Sequence, residues 1–357
     1  MSECIAVTGG GTGGHVYPVL AVLEELSSLR VIWIGSGAEL ERRILADRAL
    51  RYYGIPAGKM RRYFSLRNLI DVFKTVMGLF ASMAILLREK PRLLFSKGGY
   101  VSVPPVVAAR LLGIPSLTHE SDLRPGLATR INARFADSVL VSFPASASYL
   151  DGRVRGRVVH TGNPVRKELL RGQAARGKEL VGCPPERPLL LVLGGSLGSA
   201  SINRLVLQAL DRLLPACFVV HQLGTERYGG SRAGQGYYPA AYLHEELPHI
   251  LQAADLVLCR AGANTLWELA AVGKPSLLIP LPRGASRGDQ IENARFFAEA
   301  GAAVVLEQDS LTPGALSGAV LHLLGNADKL KRMAERASEL GRPEAASHIA
   351  RLISEYW

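Results

Sequence analysis

The chain alternates between short runs of consecutive apolar residues and longer stretches with helical spacing. CIAVTGG (4–10) is an apolar run that ends in glycines, and helical periodicity follows from Pro18 to about Leu29. RVIWIGS (30–36) is a second run. RLLFSKGG (92–99), SLTHES (116–121), SVLVSF (138–143) and VVHTGNP (158–164) continue the series. Runs that stay apolar, rather than alternating with polar residues, suit strands buried on both faces. Their alternation with helical stretches predicts a parallel sheet with helices on both sides.

A second series starts at PLLLVLGGSLGS (188–199). It continues through CFVVHQLG (217–224), ADLVLCRAG (254–262), PSLLIPLP (275–282) and AAVVLEQ (302–308). The fold expected is α/β, with two Rossmann-like domains that each open with strand, glycine loop and helix. The boundary falls near Gly162–Asn163–Pro164, giving domains 1–162 and 163–340. The end of the chain, PEAASHIARLISEYW, reads as an amphipathic helix within 341–357 that packs back on the first domain.

Composition narrows the class. With 357 residues, 48% apolar and 20% charged, the chain is long and apolar enough for two globular domains and excludes disorder. Cys4, Cys183, Cys217 and Cys259 lie far apart with no CxxC pair. A disulfide scaffold and a thiolate metal site are therefore not expected, and reduced thiols suit a cytosol. No basic stretch precedes the first apolar run, so no signal peptide is expected. Residues 1–160 carry 21 Lys and Arg against 12 Asp and Glu, whereas the remainder carry 21 against 19. A basic first half attracts phosphates, whether of nucleic acid, anionic lipid or a phosphorylated substrate. It lacks interleaved aromatic and basic residues or a reading module, so nucleic acid is not an expected partner.

The candidate chemistry lies in the glycine loops. The first is TGGGTGGH (8–15), where Gly9, Gly11 and Gly14 formally match GxGxxG. Glycines between strand and helix let backbone N–H groups approach an anion, and the helix N-terminus adds positive charge. A dinucleotide cofactor would need an acid at the end of the next strand, where Gly35 and Ser36 stand instead. No GK[ST] follows, so this is not a Walker loop. The second loop, LGGSLG (193–198), also fits GxSxG with Ser196 as a nucleophile. None of His221, His244, His249, His322 and His348 sits in a loop that obviously follows a late strand, and a hydrolase leaves the first loop unexplained. Two Rossmann-like units with a glycine loop each, facing across a cleft, make the layout of GT-B glycosyltransferases. The chain has no DxD motif, so no metal is expected. Helix dipoles and Arg or Lys would then stabilise the leaving diphosphate.

The motifs together resemble the MurG family, over nearly the whole chain. They are TGGGTGGHVYP (8–18), SKGGYVSVP (96–104), HESDLRPGLATR (119–130), TGNPVR (161–166), GGSLGSASIN (194–203), CRAGANTLWELAAVGKPSLLIP (259–280) and GDQIENA (288–294). The resemblance implies transfer of N-acetylglucosamine from UDP-GlcNAc to the C4 hydroxyl of the muramyl sugar of undecaprenyl-linked lipid I, with inversion, giving lipid II. UDP-GlcNAc is then a substrate and no cofactor is expected. The alternative is a related GT-B glycolipid synthase with another lipid acceptor.

Roles follow from the resemblance. Thr12, Gly13 and Gly14 match the first-loop residues near the donor sugar. Gly10, Gly11, His15, Gly98, Gly99 and Tyr100 match the acceptor diphosphate side. Arg166, Ser196, Leu243, Arg260 and Gln290 match donor contacts, as does the helix start Ala263, Asn264, Thr265, Leu266, Trp267 and Glu268. Glu268 would accept from both ribose hydroxyls, and Gln290 would hold sugar hydroxyls. The family often has HEQN where this chain has HESD, so Asp122 stands at an Asn position beside the donor. The general base is expected among His15, Glu120 and Asp122.

Residues 74–87, KTVMGLFASMAILL, include 13 consecutive residues without charge from Thr75 to Leu87. That is short of the roughly 20 needed to cross a bilayer. Arg61, Arg62, Arg67, Arg88, Lys90 and Arg92 flank them. A patch of Met77, Leu79, Phe80 and Met83 is expected to dip into an anionic leaflet. The expected location is the cytoplasmic face of the cell membrane, as a peripheral protein beside cell-wall synthesis proteins.

Overall fold

The computed structural model describes residues 3–10, 13–26, 29–46, 48, 50–58, 66–150, 152, 154, 156–195, 198–225, 234–284 and 288–357, with the backbone alone at 66–69. The chain forms two compact units, Met1–Val165 with Glu344–Trp357, and Arg166–Pro343.

In the first unit β1 (Cys4–Thr8) leads into α1 (Gly13–Leu23), then β2 (Arg30–Gly35), α2 (Glu39–Leu45), β3 (Arg51–Gly54) and α3 (Leu66–Glu89). β4 (Leu93–Ser96), α4 (Val103–Leu111), β5 (Ser116–Glu120), α5 (Leu127–Asn132), β6 (Ser138–Val141) and β7 (Arg157–His160) follow. The strands pair in the order β3-β2-β1-β4-β5-β6-β7, every pair parallel. The pleat sends alternate side chains to opposite faces. Ile5 and Val7 join Trp33, Val16 and Val19 in one core, while Cys4 and Ala6 join Ile32, Ile34, Leu86 and Val106 in the other.

The second unit repeats the plan. α6 (Ala174–Val181) precedes β8 (Leu189–Leu193), α7 (Ala200–Leu213), β9 (Phe218–Gln222), β10 (Tyr237–Ala240), α8 (Leu247–Ala253), β11 (Leu256–Cys259) and α9 (Ala263–Val272). Then come β12 (Ser276–Leu278), α10 (Asp289–Glu299), β13 (Ala303–Val305), α11 (Pro313–Leu324) and α12 (Ala327–Leu340). The sheet order is β10-β9-β8-β11-β12-β13, again parallel. The last helix, α13 (Ala345–Ser354), belongs to the first unit, where Ala346, Ile349 and Ile353 share the core of Ile5 and Val16.

Three local expectations change. Two strands absent from the apolar runs, β3 and β10, both lie at sheet edges. An edge strand pairs on one side only and tolerates polar residues and proline, so RYYG and YYPA carry no long apolar run. Helix α1 starts at Gly13 rather than Pro18, directly out of the glycine loop. The apolar run at 75–87 is part of a longer helix, and Ile70–Glu89 is long and apolar enough to cross a membrane by length and composition.

Helix α3 is two-sided. Leu79, Met83 and Ile85 pack with buried Leu86 against the core, and Gly78 lies so close to the Pro56 carbonyl that a Cβ would collide with it. Leu79 and Met83 therefore do not belong to an outer patch. Met77 and Phe80 do, together with Ile70, Phe73, Val76 and Leu87, all exposed. Positions 70, 73, 77, 80 and 87 follow helical spacing, so they form one stripe.

Candidate active site

Ligands of open parallel sheets bind beyond the carboxyl ends of the strands, where strand order reverses. In the first unit that point lies between β1 and β4. Gly9 and Gly10 leave β1, and Lys97, Gly98 and Gly99 leave β4. Gly11 and Thr12 lie outside the described residues; Gly13 and Gly14 open α1.

His15 follows in the first turn of α1, with Nδ1 3.1 Å from the Lys97 carbonyl oxygen. A carbonyl only accepts, so Nδ1 carries the proton, and Nε2 is the basic nitrogen of the neutral ring. The imidazole lies over Gly99. A Cβ on Gly99 would come 3.1 Å from the Gly10 carbonyl oxygen and 3.3 Å from His15 Nε2, and its φ of 79° is one that side chains avoid. Beneath Gly10 the buried carboxylate of Glu41 accepts from the Ser36 N–H at 2.9 Å and the Tyr52 hydroxyl at 2.9 Å. A Cβ on Gly10 would collide with that carboxylate. Tyr100 opens a short 3₁₀ turn, its ring half-buried against the core.

The other two candidate bases sit at the end of β5. Glu120 is buried, and its Oε1 and Oε2 accept the N–H groups of Asp122 and Gly126, each at 3.0 Å. Both oxygens thus brace the loop 121–126. Asp122 is half-buried on that loop, and its carbonyl accepts from Ser146 Oγ at 3.3 Å.

Between these loops lies a cation that the sequence reading did not single out. Lys97 is 2% exposed. Its ammonium donates to His119 Nδ1 at 2.8 Å, to Asn163 Oδ1 at 3.0 Å and to Ser121 Oγ. His119 Nε2 meets the Gly162 carbonyl at 2.9 Å, which fixes the proton on Nε2 and leaves Nδ1 to accept. Burial, then the Lys97 charge, holds the His119 ring well below its usual pKa, so it is neutral. Burial also pushes the Lys97 ammonium down to about 7, against the pull of Glu120 and Asp122.

In the second unit strand order reverses between β8 and β11. Gly194 and Gly195 leave β8, and Ser196 lies outside the described residues. Gln222, at the end of β9, ties this loop to the next. Its Nε2 donates to the Gly195 carbonyl at 3.2 Å, and its Oε1 accepts the Leu243 N–H at 3.0 Å. The backbone group that Leu243 can still offer a ligand is its carbonyl.

Helix α9 starts straight after β11 with no side chain capping its N-terminus. Ala263, Leu266 and Trp267 point into the core, where Trp267 meets the Phe297 ring edge-on at 5.4 Å. Of this expected donor set, Asn264, Thr265 and Glu268 present partly exposed side chains, as the helical period requires. Glu268 Oε1 accepts from Arg166 Nε at 3.2 Å. Desolvation raises the Glu268 pKa, and the Arg166 guanidinium works against that shift.

Arg260 is placed differently from the expectation of a nucleotide contact. Its Nη1 donates to the Ile279 carbonyl at 2.9 Å, and its Nη2 to Ser199 Oγ at 2.9 Å and to Ser201 Oγ and Gln308 Oε1, each at 2.6 Å. Nη2 thus braces the start of α7, and Nη1 holds the segment that leaves β12. Gln290 lies in the first turn of α10, where its Oε1 accepts the Leu281 N–H at 3.1 Å.

Lys97 and Gln222 share a signal that the sequence reading passed over. Each is a long polar side chain at the carboxyl end of an aliphatic strand run, followed by glycine within two residues. In a parallel sheet that is the ligand-binding edge.

Residues 5–141 match the glycosyltransferase family 28 N-terminal domain, and residues 189–349 match the glycosyltransferase family 28 C-terminal domain. The chain is 42% identical to the UDP-N-acetylglucosamine–N-acetylmuramyl-(pentapeptide) pyrophosphoryl-undecaprenol N-acetylglucosamine transferase of Treponema denticola, over 99% of this chain and 98% of that protein. It is also 42% identical to the Clostridium kluyveri protein of the same name, over 92% and 90%. The crystal structure of Acinetobacter baumannii MurG superimposes with a TM-score of 0.77 at 29% identity, covering 99% of both chains. Two matched domains in order, with identity carried along almost the full length, establish that the chain belongs to glycosyltransferase family 28 and, within it, to the MurG family.

Proposed function

We propose that this protein transfers N-acetylglucosamine from UDP-GlcNAc to the C4 hydroxyl of the muramyl sugar of undecaprenyl-linked lipid I, with inversion, to give lipid II. The observation that carries this reading is the near-full-length identity to proteins named for that transfer. The site chemistry supports it, since each unit has glycine-rich backbone and a helix start at its own strand-order reversal.

On the first unit His15 Nε2 takes the proton from the acceptor hydroxyl as that oxygen attacks the anomeric carbon. The ring is held ready, because Nδ1 is tied to the Lys97 carbonyl. Glu120 acts through the loop it braces and sets the place of Asp122. Gly10, Gly11, Gly98, Gly99 and Tyr100 receive the acceptor and its diphosphate, and Thr12, Gly13 and Gly14 approach the donor sugar.

On the second unit Glu268 accepts from the ribose hydroxyls, and the Arg166 guanidinium favours its ionised form against the opposing effect of burial. The Leu243 carbonyl accepts from uracil N3–H. Ser196, the Gly194–Gly195 amides, Asn264 and Thr265 hold the diphosphate at the start of α9, whose partial positive charge stabilises the leaving UDP. Gln290 meets the sugar hydroxyls. Arg260 keeps Ser199 and Ser201 in place behind this loop.

The deciding assay is transfer of labelled sugar from UDP-GlcNAc to a short-chain lipid I analogue with EDTA present. Product is expected at an undiminished rate. Donor binding without product sends the reading to a glycolipid synthase with another acceptor, and absence of donor binding overturns it.

The outer stripe of α3 fits the surface of an anionic membrane at the cytoplasmic face, where a lipid-linked acceptor would lie. Ile70, Phe73, Met77, Phe80 and Leu87 face outward, while the opposite side of the helix is packed into its own unit. A helix so divided lies along an interface. The exposed bases Arg88, in the last turn, and Lys90 and Arg92, just after it, sit at its C-terminal end. Sedimentation with anionic vesicles should therefore fall as salt rises. Phe80→Ser should weaken it about tenfold or more, from ~2 kcal/mol of lost apolar burial. Sedimentation indifferent to lipid charge, salt and Phe80 would sink the assignment.

A further inference from the structure

The hydrogen-bonded knot around Lys97 has a role that the transfer scheme above leaves unassigned. An ammonium has three N–H groups, and here three acceptors meet them: His119 Nδ1, Ser121 Oγ and Asn163 Oδ1. The acceptors lie on different segments. His119 is the last residue but one of β5, Ser121 begins the loop that Glu120 braces, and Asn163 follows β7. Ser121 Oγ donates onward to Asn163 Oδ1 at 3.0 Å, and Ser142 Oγ at the end of β6 approaches the same oxygen at 3.4 Å. The Lys97 backbone carbonyl holds His15. None of the three side-chain partners is a carboxylate, so the charge is buried among neutral groups and faces Glu120 and Asp122 only at a distance.

We propose that Lys97 is a positioning residue for the acceptor: its ammonium locks the loops that leave β4, β5 and β7 into the conformation that receives the acceptor diphosphate, and its charge helps to hold that anion. The proposal rests on the transfer reading given above. The proton is part of the geometry. A neutral amine has two N–H groups for three acceptors, so losing the proton breaks one contact of the knot. The titratable groups around it are His15 on α1, His119 and Glu120 on β5, Asp122 on the following loop, and His160 on β7, whose Nε2 meets the Ser142 carbonyl at 3.1 Å. Of these, His119 is neutral, and Glu120 and Asp122 favour the charged ammonium.

The sign of the pH effect follows. With Lys97 near pH 7 in the free protein, raising the pH removes the proton, and an arriving diphosphate restores it. Calorimetry of the wild-type protein with the short-chain lipid I analogue at pH 8, in two buffers of different ionisation enthalpy, should show uptake of up to about one proton. The kcat/KM for acceptor should fall above about pH 7. Lys97→Gln should lower it about 10- to 100-fold, from the loss of hydrogen bonds made by a charged donor. It should also abolish the alkaline decline and leave the UDP-GlcNAc Kd unchanged.

A Lys97→Gln protein with wild-type kcat/KM, or with the wild-type alkaline decline, overturns the proposal. So does wild-type binding without proton uptake at pH 8, a measurement that decides the matter even if the variant fails to fold. Wild-type protein that neither binds nor glycosylates the analogue overturns the transfer reading together with this one. A wild type that transfers normally beside an indifferent variant overturns this one alone.

Discussion

His15→Ala should lower kcat for sugar transfer by about 10²- to 10⁴-fold, the usual worth of a positioned general base. The Kd for UDP-GlcNAc, read by calorimetry, should stay nearly unchanged, because the residues assigned to its uridine and diphosphate lie on the other unit. We take His15 as the base ahead of Glu120 on two observations. Its Nδ1 proton is fixed by a carbonyl that cannot donate, so Nε2 holds the lone pair. Glu120 has both oxygens occupied by loop N–H groups, which a reaction step would have to disturb. Glu120→Gln should therefore damage the loop and raise the acceptor KM more than it lowers kcat. A His15→Ala enzyme with kcat within a few-fold of wild type, beside a Glu120→Gln enzyme with kcat collapsed, would reverse the two assignments.

Glu268→Ala should weaken UDP-GlcNAc binding about 10- to 150-fold, the loss expected when hydrogen bonds to a charged acceptor disappear, about 1.5–3 kcal/mol. Arg166 also loses the carboxylate it pairs with at 3.2 Å. Donor affinity should also depend on pH. Burial raises the Glu268 pKa, so the ionised acceptor exists above that raised value and is lost as the pH falls through it. Wild-type binding should weaken toward acid, and Glu268→Ala binding should not follow that trend. Unchanged affinity in the variant would remove Glu268 from the ribose.

Interior strands were legible because burial on both faces demands unbroken aliphatic runs, as in LLLVL of β8. The edges were not, because RYYG and YYPA pair on one side only. The glycine loops were legible from motif alone, and so was the place of His15 beside them. Helix α3 was legible as an apolar segment but not as to its faces. Which of Met77, Leu79, Phe80 and Met83 turn outward depends on the sheet beneath and on Gly78 meeting Pro56. The Lys97 knot was hidden for a topological reason. Its partners lie 22, 24 and 66 residues further along the chain, and only the parallel order of β4 to β7 brings those strand ends together. Arg260 was legible as a motif position but not in its partners: Ile279, Ser199, Ser201 and Gln308, from three segments of its own unit, meet its guanidinium.

Helix α13 gives the first unit an unusual dependence on time. Ala346, Ile349, Leu352 and Ile353 fill the core against α1, the helix that carries His15. During synthesis β1 to β7 leave the ribosome first, yet that core is not complete until α13 has followed the whole of the second unit. The second unit holds its own core within 166–343, so it can finish while the first still waits. A product that stops before Ala345 therefore lacks part of the core that positions α1, while the core of the second unit is already complete.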